Sequence, residues 1–569
     1  MTASAAMQDQ LRQHLRAILA TYDAVPDDFE VELERPAQPE HGDWATNTAM
    51  RLASVLKNNP RAIAEELAQQ LRERVDPARV EAVEVAGPGF INIRLADTYL
   101  TDALQTLLQA GATYGQTDTG AGKSAIVEYV SANPTGPLTV GHGRNAVLGD
   151  TVANLLEWTG HDVTREYYFN DAGRQMRVLA QSVRARYEEL VSDVEMKTLT
   201  HDDGTTTEVP VSFPEEGYLG AYIIDIAQTL ADDHGAALLT TESLRPFQDR
   251  AEDIIFAEIE ATLQRLGIEM DQYFNERQLY DDARVADTVE ALNEADVTYE
   301  KEGALWFRTT DFGKDKDTVL IKQTGEPTYR TPDIAYHADK FERGFDVIID
   351  VLGADHVATY PDVISALEVL GYEADRVEVL LYQFVTLIRD GEPVKMSTRR
   401  ANYVTLDDLI DEVTADVTRF FFLMRNPSTH LDFDLDLATE ASDKNPVFYL
   451  QYAHARICSI YDKAAEVGLD DAAEVDLTLL AHDDEAALIK ELLRFPEVID
   501  RAAAQRAPHH VATYLREVAT AFSQFYNSCH IVGADSEALG AARLQLAHAT
   551  RTVLANGLAV LGISAPETL

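Results

Sequence analysis

The chain has 569 residues, 46% hydrophobic and 25% charged, values that exclude disordered and collagen-like proteins and, at roughly 100 to 200 residues per domain, predict three to five domains. Its 48 basic residues, only 12 of them Lys, face 96 acidic ones for a net charge of −48, which taken alone argues against nucleic acid, because each phosphate contact needs a Lys or Arg to displace counterions. No apolar run reaches the roughly 18 to 20 residues that cross a bilayer, the start MTASAAMQDQLRQHL is no signal peptide, and the two cysteines, Cys458 and Cys529, give neither a disulfide framework nor zinc-site spacing.

The expectation is a cytoplasmic, zinc-free chain with no membrane partner. Because the carboxylates are spread along the whole sequence, the charge reads as a halophile-type composition in preference to the alternative, an acidic interaction surface. In molar salt self-repulsion is screened within about 3 Å, so composition reports habitat rather than partner.

Residues 1–115 are predicted to form a small α+β domain: LRQHLRAILATY and PRAIAEELAQQLRERV have helical spacing, and VEVAGPGFINIRL alternates around Gly87, Pro88 and Gly89. GQTDTGAGK then reads as a linker. From Ala125 the order is strand (AIVEYV), loop (SANPTGPLTVGHG), helix (RNAVLGDTVANLLEW, closed by Gly160) and strand (DVTREYYF), a βαβ unit that opens a parallel nucleotide-binding sheet over residues 120–404. Residues of about 175–290 are expected to be a mainly helical insertion, with a hairpin turning at Asp203 and Gly204. Strand patterns resume in FDVIIDVLGA and VEVLLYQFVTLI, which turns at Asp390 and Gly391 into PVKMS. A connecting helical segment, 405–440, opens behind a capping box of Thr405 and Asp408, and 441–569 reads as a helical bundle.

Two loops can carry chemistry. SANPTGPLTVGHGRN lies between a strand end and a helix start, where N–H groups and the helix dipole favour a phosphate. Pro134 and Pro137 stiffen it, Gly136 and Gly141 permit close approach, and His142 can donate to a reacting phosphate. The plainer alternative is a turn with a helix-capping histidine. PVKMSTRR sets Lys395, Arg399 and Arg400 on a hairpin exit, or alternatively is a basic loop on an acidic protein.

Together and in this order these loops resemble the HIGH and KMSKS signatures of class I aminoacyl-tRNA synthetases. ERPAQPEHGDWATN with AGPGFINIRL, SANPTGPLTVGHGRNAVLGD, REYYFNDAGRQM, PVKMSTRRANYVTLDDLIDEV, NPVFYLQYAHARI and RTVLANGLAVLGISAPE are similar to arginyl-tRNA synthetases. The resemblance implies an α/β fold with a Rossmann-type parallel-sheet catalytic domain, an N-terminal domain that touches the tRNA elbow and a C-terminal all-α anticodon-binding domain. It also implies ATP with Mg²⁺, L-arginine and tRNA(Arg) as partners, and a monomer. ATP would lie against Pro134, Thr139, Gly141, His142, Lys395, Met396, Ser397 and Arg399, with His142 and Lys395 catalytic. Two positions depart from the family pattern: Thr139 stands where the first signature usually begins with His, and Thr398 where the second usually has Lys.

Glu128 interrupts an apolar strand, and a buried carboxylate is costly unless a cation meets it. A guanidinium suits. The family likeness places Glu128, Asn133, Tyr329 and Asp333 at the arginine pocket. Asp333 has a second reading, since Thr331 is expected to be a helix N-cap with Pro332 as first residue, so that the carboxylate would serve the helix dipole. Asp355 and His356 follow a strand end and could line the same crevice, and Asn170, Asp171 and Gly173 are ATP-side or structural. In the last domain Tyr449, Tyr452, His454, Arg456, Phe522, Phe525 and Tyr526 stand at helical spacing; aromatics there are usually core, with Tyr452 and Tyr526 the candidates for stacking on anticodon bases. The rival functions are a small-molecule nucleotidyltransferase sharing the first loop and a non-catalytic tRNA-binding paralogue.

Overall fold

The computed structural model describes residues 3–26, 28–36, 38–171, 173–200, 205–394, 404–469 and 475–569. Near the N-terminus, helices Ala3–Leu19, Thr48–Leu56 and Pro60–Arg72 pack on an antiparallel sheet in the order Trp44–Thr46, Phe90–Leu95, Val80–Ala86. The third helix starts where chemistry dictates: Asn59 accepts the Arg61 N–H at 2.9 Å, Pro60 holds the first position, and Ile63, Ala64, Leu67, Ala68 and Leu71 form the buried stripe. Ion pairs Arg35–Glu497 and Lys490–Asp43, each 2.8 Å, seat this unit on the C-terminal helices.

The centre is a five-stranded sheet of β1 (Ser124–Glu128), β2 (Asp162–Phe169), β3 (Gln272–Asn275), β4 (Val347–Gly353) and β5 (Val377–Tyr382), in the order β5-β4-β1-β2-β3 with every pair parallel. Helix α1 (Val140–Trp158) crosses from β1 to β2, with Gly160 at φ +86° just past its end, and α2 (Arg330–Glu342) leads into β4. Strand order reverses between β1 and β4, so a crevice opens at their carboxyl ends.

Several elements depart from the sequence expectations. β3 lies inside the span read as a helical insertion, and four residues ending in Gln and Asn are too few for a periodicity to show. Strands Thr298–Lys301, Ala304–Phe307 and Thr318–Ile321 form an antiparallel sheet that the pattern did not announce. The hairpin Met196–Thr200 with Thr206–Pro210 is present, while its expected turn at Asp203 and Gly204 lies outside the described residues. Asp390 and Gly391 turn with φ of 52° and 76°, as a two-residue hairpin requires. Beyond Thr405, Leu431–Asp434 is a strand beside Val385–Arg389 in a stretch expected to be helical. Thr331 is not an N-cap: α2 begins at Arg330, and the Thr331 hydroxyl donates instead to the Leu320 carbonyl at 2.9 Å.

The capping box is as expected, Asp408 N–H meeting Thr405 Oγ1 at 3.0 Å and Thr405 N–H meeting Asp408 Oδ2 at 2.9 Å. Among the described residues eight α-helices follow between Leu406 and Val560: Leu406–Val413, Ala415–Leu423, the short Leu435–Thr439, Pro446–Glu466, Asp483–Leu492, Phe495–Ala504, His509–Ser528 and α3 (Glu537–Val560), which make up the C-terminal body. Buried Arg419 ties this body to the sheet, donating to the carbonyls of Leu266 at 2.9 Å and Leu561 at 2.8 Å and to Asp150 of α1 at 2.5 Å. Among the described residues no helix is long and apolar enough to cross a membrane.

Candidate active site

At the end of β1 the chain adopts a costly conformation: Val130 and Ser131 have φ of 66° and 39°, a region that a β-branched residue enters only when its surroundings force it. The force is visible. Val130 N–H donates to Asn145 Oδ1 at 2.6 Å, Asn145 Nδ2 donates to Val351 O at 2.8 Å, and Ser131 Oγ donates to Glu128 at 2.8 Å while accepting from Tyr168 N–H at 3.1 Å. Asn145 therefore stitches the two strands at the reversal point, a role sequence reasoning missed. The loop that follows leaves Asn133 exposed and Pro134 buried, and brings Gly136 under Tyr222, whose hydroxyl donates to Thr135 O at 2.5 Å.

Thr139 is the residue before α1, and its N–H donates to His142 Nδ1 at 3.2 Å. A ring nitrogen that accepts carries no proton, so the proton of the neutral ring sits on Nε2 and can be donated. Burial lowers the imidazole pKa to about 4, keeping it neutral at pH 7. Helix capping by His142 and a donor role are thus compatible. Gly143 has no side chain because a Cβ there would fall 2.5 Å from Leu406 Cδ1. That close approach joins the first signature loop to the start of the helix Leu406–Val413: Thr139 bridges Thr405, and Leu406 N–H donates to Leu138 O at 2.8 Å. Lys395, Met396, Ser397, Thr398, Arg399 and Arg400 lie outside the described residues, whose bounds there are Val394 and Val404.

Beneath the crevice the parallel register lines up three carboxylates, Glu166 of β2 opposite Glu128 of β1 opposite Asp350 of β4. Each is buried and each is answered by α2 or the residue after it. Lys340 Nζ donates to Glu128 Oε2 and Asp350 Oδ1, both at 2.6 Å. His337 Nε2 meets Asp350 Oδ2 at 2.8 Å, and Arg343 forks onto Glu166 at 2.6 and 2.8 Å, where Tyr336 also donates at 2.6 Å. The cation expected to meet Glu128 is therefore supplied by the chain itself. The signal was present: Asp350 in VIIDVLG and Glu166 in DVTREYYF interrupt apolar strands as Glu128 does.

Asp333 stands one turn before His337 on α2, and among the described residues no ion pair joins its side chain to a cation. Burial, with the like charges of Glu128 and Glu276 adding to it against His337 and Arg330, pushes its carboxyl up to about 7. Tyr329 is 60% exposed at the rim, and Asp355 and His356 are exposed on the turn Ala354–Ala358 after β4, 3.8 Å from one another. Asp171 Oδ1 accepts the Arg277 N–H at 3.0 Å at the start of the helix Glu276–Asp281. In the C-terminal body Phe522 and Phe525 are core, Tyr526 lies half-buried under the Arg456 guanidinium at 4.5 Å, and Tyr452 is 47% exposed.

The family model described as tRNA synthetases class I (R), catalytic domain, matches residues 103–428. A curated relative from Salinibacter ruber, arginine–tRNA ligase, is 68% identical over 563 residues, covering 99% of this chain and 100% of the relative. The chain belongs to the arginyl-tRNA synthetases. Its N-terminal residues 6–95 match the arginyl tRNA synthetase N terminal domain and 450–569 the DALR anticodon binding domain. Another arginine–tRNA ligase of the family, from Chlorobaculum tepidum, is 48% identical over 552 residues, 95% of this chain and 96% of the relative. A crystal structure titled as a putative arginyl tRNA synthetase from Campylobacter jejuni superposes with a TM-score of 0.75 at 33% identity, over 84% of this chain and all of the other. The Thermus thermophilus arginyl-tRNA synthetase shares the fold, TM-score 0.74 at 24% identity over 99% of this chain and 100% of that one.

Proposed function

We propose that this arginyl-tRNA synthetase works in two steps at the β1–β4 crevice. The arginine carboxylate attacks the α-phosphorus of ATP and pyrophosphate leaves; a terminal ribose hydroxyl of tRNA(Arg) then attacks the adenylate carbonyl and AMP leaves. No covalent enzyme intermediate is required, because positioning and charge stabilisation suffice. The observation that carries the reading is Asp333, a carboxylate without an ion-pair partner among the described residues, set one turn before His337 on α2, which spans the sheet whose β1 leads into the His142 loop.

On the ATP side act Pro134, Thr139, Gly141 and His142, joined by Lys395, Met396, Ser397 and Arg399 of the second signature. Mg²⁺ enters as part of the ATP substrate. The first-signature Thr139 supplies no ring, and its contribution is the main-chain N–H that fixes the His142 tautomer. On the arginine side Asp333 takes the guanidinium, with Glu128, Asn133, Tyr329, Asp355 and His356 around it. The parallel sheet serves as a Rossmann-type nucleotide-binding core within 120–404, residues 1–115 meet the tRNA elbow, and 441–569 meet the anticodon, with Tyr452 and Tyr526 stacking on bases. We place the enzyme in the cytoplasm, as a monomer adapted to high salt.

Arginine-dependent pyrophosphate exchange at high salt, with and without tRNA, tests this. Exchange should require both arginine and tRNA. Exchange without tRNA would remove the tRNA requirement, and none with any amino acid would favour a non-catalytic tRNA-binding protein.

A further inference from the structure

The ring of His337 is held by two groups that can only accept. Nδ1 lies 2.7 Å from the Asp333 carbonyl oxygen, which has no proton to give, and Nε2 lies 2.8 Å from Asp350 Oδ2. Asp350 is itself kept ionised by the Lys340 ammonium on its other oxygen at 2.6 Å and by His337, which hold its carboxyl well below the usual range. Both ring nitrogens must therefore donate, and a ring with two N–H groups is an imidazolium.

The surrounding charges close around that assignment. Facing the ring are Asp333, Tyr336 and Lys340 from α2, Asp350 from β4 and Glu128 from β1. Glu128 and Asp350 balance Lys340 and His337, so this quartet is neutral as built. Asp333 stands outside it. Around Asp333 are Glu276, Tyr168, Tyr280 and Arg330, of which Glu276 adds a like charge and Arg330 a favourable one. After burial itself, the largest influence on the Asp333 carboxyl is His337, acting to favour its charged form.

We propose that His337 is a positioning residue of the arginine pocket: held as an imidazolium between the Asp350 carboxylate and the Asp333 carbonyl, it keeps the Asp333 side chain ionised for the incoming guanidinium. This rests on the assignment of Asp333 to the guanidinium made above. His337 touches no substrate. Its main-chain contact fixes the first turn of α2, and its charge offsets the desolvation that otherwise favours a protonated, neutral Asp333 to which arginine binds weakly. Without His337 the crevice would hold Asp333, Glu276 and Glu128 with Lys340 and the partly exposed Arg330 as the nearby cations.

Histidine-selective ¹⁵N NMR of the full-length, ligand-free enzyme reads the first half of the proposal. Both His337 nitrogens should stay protonated from pH 6 to 8.5, assigned by loss of the signal in His337→Gln; a neutral tautomer at pH 7 overturns the proposal. The second half is read from KM for arginine between pH 6 and 8.5. In the wild type KM should fall as pH rises through about 7, the value to which the Asp333 carboxyl is pushed. His337→Gln keeps a donor of similar reach without the charge. Its fall should move up by at least about one pH unit, making KM at least about fivefold higher at pH 7 and about tenfold higher at pH 6, and converging with wild type at the alkaline end, with KM for ATP unmoved. A variant that only loosens packing would raise KM equally at every pH, and that result overturns the proposal. Asp333→Asn separates the two levels of inference. If it leaves KM for arginine unchanged, the pocket assignment falls and this proposal with it; if it raises KM while the His337→Gln profile superposes on wild type, only the role of His337 falls.

Discussion

Lys340 Nζ stands 2.6 Å from Glu128 and 2.6 Å from Asp350, so one buried ammonium answers two carboxylates that adjacent parallel strands set side by side. Removing it should leave Glu128 without a cation and Asp350 with His337 alone. Lys340→Met is expected to cost about 3 to 5 kcal/mol of stability, and Lys340→Met with Glu128→Gln less than the single change, because one orphaned charge is gone. Urea denaturation of both variants measures this. A single variant with the wild-type midpoint would show that the pair contributes nothing.

This pair also marks the limit of what could be read from the sequence. The loop ending in His142, the βαβ unit around it and the capping box at Thr405 were legible because each depends on residues a few positions apart. The cation for Glu128 was not, because Lys340 lies 212 positions away and reads as an ordinary exposed helix residue until α2 is laid across the sheet. The three short antiparallel strands between Thr298 and Ile321 escaped for a different reason, four residues apiece being too short for alternation to register. Asn145 looks like an unremarkable polar residue in a helix until β1 and β4 are seen to need it.

Asp333 should trade stability for function. Its folded carboxyl is pushed up to about 7 from 3.8, so its contribution favours the fold below the unfolded value and is lost as pH rises through the folded one. Asp333→Asn should therefore raise the ligand-free melting temperature at pH 8, by the equivalent of about 1 to 2 kcal/mol, with little effect near pH 4. Arginine activation should collapse, and the preference for arginine over neutral citrulline should shrink more than in Glu128→Gln, whose charge is already paired. Calorimetry at both pH values, with exchange assays on both amino acids, decides; a lower melting temperature at pH 8 refutes the trade.

The His142 ring should act neutral throughout. With a pKa lowered to about 4 by burial, it adds no inflection to the activation rate between pH 5 and 8, and its effect on stability is a loss as pH falls from 6.5 towards 4. His142→Ala, and likewise Lys395→Ala, should slow adenylate formation by about 10² to 10³ while tRNA binding persists. Single-turnover activation and a filter-binding assay separate the two effects. Near-normal activation in either variant removes that residue from catalysis.

A net charge of −48 on a chain that must bind a polyanion sets the last expectation. At 0.01 M salt the screening length is about 30 Å and carboxylates repel tRNA and one another across the surface; at 1 M it is about 3 Å and only local contacts remain. Melting temperature and tRNA affinity should both hold or rise from about 0.1 M to above 1 M KCl. A steep fall in affinity over that series, with full stability in dilute buffer, would mean the acidity serves something other than salt.

The anchorage of Arg419 has a consequence for how the enzyme is made. Its guanidinium needs Asp150, Leu266 and Leu561 at once, and Leu561 is translated 411 residues after Asp150. Gly562 follows because a Cβ there would collide with that same guanidinium. Until Leu561 has been added, α1, the helix whose third residue is His142, sits beside an arginine with one of its acceptors still unsynthesised. Vectorial synthesis thus delivers the parallel sheet before the acceptor that locks it, so a chain stopped short of Leu561 lacks one of the fastenings between that sheet and the C-terminal body.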